Sequence, residues 1–184
     1  MPVLIALLRG INIGPHKRMK MDALRGVCES LKFTKVQTLV QSGNVVFQTK
    51  ETDELVIAAK LEKAIEKKFA FTCDVVVRST ADLKSAIQRT PFAKRDLDPR
   101  SVLVVFLRSH PSAEVREKAG QIPAAPEELY LDGREFYMYF PNGMARPQLN
   151  WTSVEKVLKT PATGRNWNTV TKLLEMAEAL ELAK

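Results

Sequence analysis

Two short apolar runs constrain what this chain can fold into. Val3–Leu8 has no polar side chain, and in the second half of the chain the stretch Ser101–Leu107 repeats the feature from Val102 onward. Runs of this length with no polar alternation read as strands buried on both faces. They are far too short to span a bilayer. Each run opens a similar succession of patterns. After the first, Arg9–Lys20 contains Gly10, Gly14 and Pro15 and reads as a loop. Met21, Leu24, Cys28 and Leu31 then recur at helical spacing. Val36–Val40 and Asn44–Gln48 flank the turn residues Ser42-Gly43 and predict a hairpin. Thr52 is the expected N-cap of a helix that runs to about Lys68, with Asp53 and Glu54 in its first turn and Ala58, Leu61, Ile65 and Phe69 facing inward. Phe71–Arg78 is the fourth strand. The order β-α-β-β-α-β is the ferredoxin-like arrangement.

The second run is followed by a weaker copy of that order. Ser112 is placed to cap a helix reaching Ala119, and Asp132-Gly133 joins Leu129–Leu131 to Phe136–Phe140 as a hairpin. A short helix follows over Gln148–Leu158. Residues 163–169 read as a loop, and the last helix carries the stripe Val170, Leu173, Leu174, Ala177 and Leu180. No sequence repeat links the halves. The expected fold is α+β, with two ferredoxin-like βαββαβ-type halves whose antiparallel sheets are packed by helices. Residues 1–78 form the first half, 79–100 a helical connector, and 101–184 a second, βαββα-type half ending in the C-terminal helix.

A chain of 184 residues buries roughly 70% of its unfolded surface, enough for a core without disulfides or metal. Two cysteines, Cys28 and Cys73, are too few for a disulfide framework and read as buried core fillers. With no charged segment or cleavage signal at the N-terminus, the expected setting is the reducing cytoplasm. Only two histidines occur, His16 and His110, and neither has a partner at metal-ligand spacing. No metal or other cofactor is expected.

The net charge is +7, and residues 1–78 carry 13 basic against 8 acidic side chains. Between Arg9 and Lys35, seven basic residues face only Asp22 and Glu29. A local excess of this kind attracts phosphates and other anions. Three polar clusters are candidate sites. Arg9-Gly10-Ile11-Asn12-Ile13-Gly14 offers a glycine-permitted backbone turn beside a guanidinium, without the Gly-Lys-Ser/Thr end of a nucleotide-phosphate loop. Gln41, Ser42 and Asn44 surround Gly43 at the hairpin tip. Arg165, Asn166 and Asn168 precede the last helix, whose N-terminus favours anions, and Trp167 among them is suited either to stacking or to packing. The sheet lacks the aromatics of an RNA-recognition module, with none on Val3–Leu8 and only Phe47 on the third strand.

Taken in order, Leu7–Gly14, Met21, Gln41-Ser42-Gly43-Asn44-Val45-Val46-Phe47, Pro141-Asn142-Gly143 and the run from Ala162 to Val170 resemble the bacterial domain-of-unknown-function family 1697. The resemblance implies a two-part α+β fold built on ferredoxin-like units, and it implies no activity. It carries over Arg9, Gly10, Asn12, Gly14, Gln41, Ser42, Gly43, Asn44, Arg165, Asn166, Trp167, Asn168 and Thr169. Where the family has a Ser-Lys pair after Pro-Asn-Gly, this chain reads Met144-Ala145-Arg146-Pro147-Gln148.

Three functional readings follow from the residues. The first is a module binding an anionic ligand, either nucleic acid or a phosphorylated small molecule, with no membrane partner. The second treats the motif residues as structural glue between the halves, and the third is an enzyme acting through orientation and charge. The residues leave the oligomeric state open.

Overall fold

A computed structural model describes residues 1–183. The elements are β1 (Val3–Leu8), α1 (Met21–Ser30), β2 (Thr34–Leu39), β3 (Asn44–Gln48), α2 (Glu54–Phe69), β4 (Val75–Ser79), α3 (Thr80–Gln88), β5 (Val102–Leu107), α4 (Ala113–Gly120), β6 (Glu128–Asp132), β7 (Glu135–Tyr139), α5 (Trp151–Leu158), β8 (Ala162–Asn166) and α6 (Trp167–Leu182). The chain divides into two compact units. One is Met1–Lys84 with the segment from Thr171 onward, and the other is Ser85–Val170. Both are ferredoxin-like α+β units with a four-stranded antiparallel sheet.

In the first unit the strand order is β2-β3-β1-β4. The apolar run becomes the central strand β1, all six of its residues buried, with Leu7 opposite Asn44 and Leu8 opposite Val75. Leu4, Ala6 and Leu8 point into a core built with Leu24 and Cys28 of α1 and with Ile57, Leu61 and Ile65 of α2. The alternate residues Val3, Ile5 and Leu7 are buried on the other face. The cap of α2 is Asp53 rather than Thr52: its carboxylate accepts from the N–H groups of Leu55 and Val56. The fourth strand begins at Val75, later than the apolar pattern suggested, because residues 71–74 form the turn out of α2.

In the second unit the order is β6-β7-β5-β8. Ser112 caps α4 as expected, its hydroxyl accepting from the N–H of Val115. Val105, Leu107, Phe136 and Met138 form the core with Ala119 of α4 and Val154 and Leu158 of α5. One element departs from the sequence reading. Residues 162–166 are not a loop but strand β8, which pairs antiparallel with β5 and completes the second βαββαβ order. In α6, Val170, Leu173, Ala177 and Leu180 are buried, and Leu174 is half-buried. No helix among the described residues is long and apolar enough to cross a membrane.

Candidate functional site

The loop between β1 and α1 is held by its own polar residues. Gly10, Asn12, Gly14 and Lys17 all take positive φ, so the backbone doubles back repeatedly within a few residues. Asn12 is the staple. Its side-chain oxygen accepts from the N–H of Met19 at 2.8 Å, and its amide donates to the carbonyls of Met19 at 2.9 Å and Gln41 at 2.8 Å. The last of these bonds ties the loop to the hairpin tip.

Gly43 makes a second tie. Its carbonyl accepts from the N–H of Leu8 at 2.9 Å. Its φ is 77°, and a Cβ there would lie 2.6 Å from Ile11 Cδ1 and 2.8 Å from Leu8 Cβ. Only glycine allows that approach. Asn44 is fully buried, and its amide donates to the carbonyl of Leu39 and to Ser42 Oγ, both at 2.9 Å. The first two sequence motifs therefore come together within the first unit. Asn12, Gly43 and Asn44 hold the loops in place, while Gln41 and Ser42 present exposed side chains.

Two clefts flank this loop. One, of about 570 Å³, is lined by Arg9, Lys17 and Lys63 against Glu62, Glu66 and Asp74. Its charges are therefore matched. Arg9 stands 3.4 Å from Asp74, both side chains about two-fifths exposed, and Lys17 donates to the carbonyl of Thr72 at 2.9 Å. Cys73 also lines it, donating its thiol toward the carbonyls of Arg9 and Asp74, and burial pushes this thiol up to about 11. Cys28, in the core, is pushed up to about 12 by burial and then by the charge of Glu29. Both thiols are free and protonated near neutrality, so neither is a ready nucleophile.

The second cleft, of about 800 Å³, is different. Arg18 and Lys20 line it together with Asn12, Gln41, Met19 and Phe69. Its single acid, Asp22, faces Arg25 at 3.3 Å, whereas neither Arg18 nor Lys20 has a side-chain partner among the described residues. Lys20 is also the N-cap residue of α1, and no side chain caps that turn. Sequence reasoning marked Arg18 and Lys20 only as part of a charged stretch, and assigned Phe69 to the helix core. The missed signal was a basic pair directly before an uncapped helix start.

The third motif lies in the second unit. Arg165 is only 6% exposed, and its Nη1 donates to Thr163 Oγ1 at 2.7 Å and to the carbonyl of Gly164 at 2.8 Å. Asn166 caps α6, accepting from the N–H of Thr169 at 2.9 Å. Trp167 is half-buried, and Asn168 is exposed. Among the described residues, no group of three or more His, Cys, Asp or Glu side chains could hold a metal ion.

Comparison with known proteins agrees with this architecture. A conserved bacterial protein from Streptococcus pneumoniae, SP0830, has a similar structure, with a TM-score of 0.73 and 23% sequence identity over 96% of this chain and 98% of that one. At that identity the likeness concerns the fold alone. None of the curated proteins matches the sequence. The family described as proteins of unknown function, DUF1697, matches over residues 1–137, about three-quarters of the chain, and the chain belongs to that family.

Proposed function

We propose that the first unit is a binding module for an anionic ligand, either nucleic acid or a phosphorylated small molecule. What supports this reading is the cleft beside α1, where Arg18 and Lys20 lie without internal ion pairs next to an uncapped helix start. Helix N-termini favour anions through their unsatisfied N–H groups and dipole. Met19 and Phe69 add an apolar wall, and the exposed Gln41 adds an amide, so the cleft suits a ligand with a charged end and a flat or apolar body. The neighbouring cleft at Arg9 is the weaker candidate, because its three cations face three carboxylates. Of the candidates in the second unit, Asn166 is committed to its cap and Arg165 is buried, so the reading rests on the first unit. The setting is the reducing cytoplasm, in keeping with two free thiols.

The test is a titration of labelled single- and double-stranded oligonucleotides at several salt concentrations, run beside thermal-shift measurements with nucleoside phosphates and sugar phosphates. Ligands of the native state raise the unfolding midpoint by mass action. Binding of either class that weakens in Arg18→Gln/Lys20→Gln supports the reading. Absence of binding to every oligonucleotide and every phosphate at low salt overturns it.

A further inference from the structure

The second unit contains a smaller cavity that the anionic reading leaves unused. It measures about 270 Å³ and lies at the start of α6. Phe92 and Trp167 contribute aromatic surface to its wall, and Leu97 and Val102 contribute aliphatic surface. Its one charged residue, Arg95, is neutralised. The guanidinium holds Glu128 through two bonds of 2.8 and 2.9 Å, and it lies over the rings of Phe92 and Tyr139, 5.5 and 4.9 Å from their centroids. A cation so engaged orients and rigidifies an aromatic wall, but it leaves little field for an anion. Charge complementarity therefore favours a neutral occupant.

Thr90, 7% exposed, adds a hydroxyl to the cavity wall. Its hydroxyl oxygen accepts from the N–H of Phe92 at 3.3 Å, and its hydroxyl proton goes to no acceptor among the described residues. A buried donor without an acceptor is costly, and a ligand that supplies one gains that bond. Small-molecule sites commonly combine apolar and aromatic walls with a few fixed polar groups. We propose that this cavity binds a neutral, planar heteroaromatic molecule of one or two rings that stacks between Phe92 and Trp167 and accepts a hydrogen bond from Thr90. The site stands independently of the anionic cleft, since its lining residues all belong to the second unit.

Isoquinoline at pH 7.5, where it is neutral, is a suitable probe, with indene as the comparator of similar shape that lacks an acceptor. Trp151→Phe leaves Trp167 as the single tryptophan of the full-length chain. The expected result is a saturable change in Trp167 fluorescence, with isoquinoline binding about threefold to tenfold more tightly than indene, the effect of one net hydrogen bond. Ala93 is exposed and lines the cavity, so Ala93→Phe fills the space from its rim and removes binding while leaving the circular dichroism unchanged. Saturation-transfer NMR on the unmodified protein reports contact between probe and protein without relying on any variant. No saturable change by either method overturns the proposal, as does unaltered binding in a folded Ala93→Phe. Equal affinity for indene overturns the role of Thr90.

Discussion

Arg78 and Arg165 occupy the same place in the two sheets. Each lies on the fourth strand of its unit, opposite the third residue of the central strand, Ile5 for one and Val104 for the other. Both are buried, at 0% and 6% exposure. Both donate Nη1 to the carbonyl of the preceding residue, at 2.9 and 2.8 Å. Each is followed by a residue whose side chain caps the next helix at its third N–H, Ser79 accepting from Asp82 at 3.0 Å and Asn166 from Thr169 at 2.9 Å. A buried guanidinium is sustained only by hydrogen bonds and charge partners, so the shared geometry is a built feature of each sheet edge and not a coincidence of composition. The repeat that sequence comparison of the halves did not show exists at this level, in a strand–arginine–cap–helix unit.

If the two arginines are equivalent, their loss should cost similar amounts. Arg78→Ala and Arg165→Ala each remove charge-assisted hydrogen bonds and leave a cavity, a loss of about 2–4 kcal/mol. Lysine in either place should recover little, since an ammonium cannot reproduce the guanidinium fork. Urea unfolding measures both. A loss within 0.5 kcal/mol of zero at one position and a large loss at the other, on the scale expected of surface and buried sites respectively, would break the equivalence.

The glycines of the two loops separate by surroundings. Gly43→Ala places a methyl against Ile11 and Leu8 at a positive φ, so strain and overpacking add to about 2–4 kcal/mol. Gly10→Ala and Gly14→Ala meet nothing within 4 Å and carry only the conformational cost, about 1–2 kcal/mol each. Thermal unfolding of the three variants should rank them in that order, and Gly43→Ala at or below the other two would contradict the close approach.

Much of the fold was legible because its central strands are pure apolar runs and its helices carry clean stripes. The strand β8 was not, for a physical reason. Its buried residues are Thr163 and Arg165, on the sheet face of Phe106 and Val104, and Gly164 on the core side lies close to Leu103, where a Cβ would come within 3.2 Å. The alternation is present, but the buried face is polar, so hydrophobic periodicity does not register it. Proximity of the loop and hairpin motifs was legible as turn chemistry, whereas the specific staple from Asn12 to Gln41 depends on backbone positions that the sequence does not display. Arg18 and Lys20 stood out as charge. Their availability became apparent only when Asp22 was found facing Arg25 and Lys17 bound to Thr72.

The thiols give a pH signature with a defined sign. Unfolded cysteines ionise near 9, whereas burial raises Cys73 to about 11 and Cys28 to about 12. Below pH 9 both states keep the protons, and the thiols add no pH dependence. Above it the unfolded chain loses protons that the fold retains, so stability falls by about 1.4 kcal/mol per pH unit for each thiol. That loss levels off near pH 11 for Cys73 and near pH 12 for Cys28. Comparing unfolding curves of the native protein and Cys28→Ala/Cys73→Ala between pH 8 and 10.5 isolates the effect, which should vanish in the double variant. Iodoacetamide at pH 8 should label the folded protein far more slowly than the denatured chain.

Leu173 is fully buried on the inward stripe of α6. Leu173→Ala should therefore cost about 2–5 kcal/mol, whereas Lys172→Ala on the exposed face, which removes only a surface ion pair with Glu175 at 2.8 Å, should cost well under 1 kcal/mol. Equal effects in denaturant unfolding would mean that the helix is rotated from the described phase.

The basic segment can be divided by what its cations already do. Arg9 faces Asp74 and Arg25 faces Asp22, and Lys17 is held toward the carbonyl of Thr72 in the neighbouring cleft, so Arg18 and Lys20 are the cations that the cleft beside α1 presents without an acidic partner. On a nucleic acid, each neutralised phosphate adds about 0.9 to the magnitude of the slope of log K against log salt on duplex DNA, and about 0.7 on single strands. Arg18→Gln/Lys20→Gln should therefore flatten that slope by roughly 1.8 units on duplex and roughly 1.4 on single strands. Adding Lys17→Gln should change it by less than one further contact. Asp22→Asn should act in the opposite direction, tightening binding at low salt by removing a like charge from the cleft wall, an effect that fades as salt shortens the Debye length. Salt titrations of the four proteins distinguish this division from a diffuse basic surface, in which Lys17, Arg18 and Lys20 would each lower the slope equally.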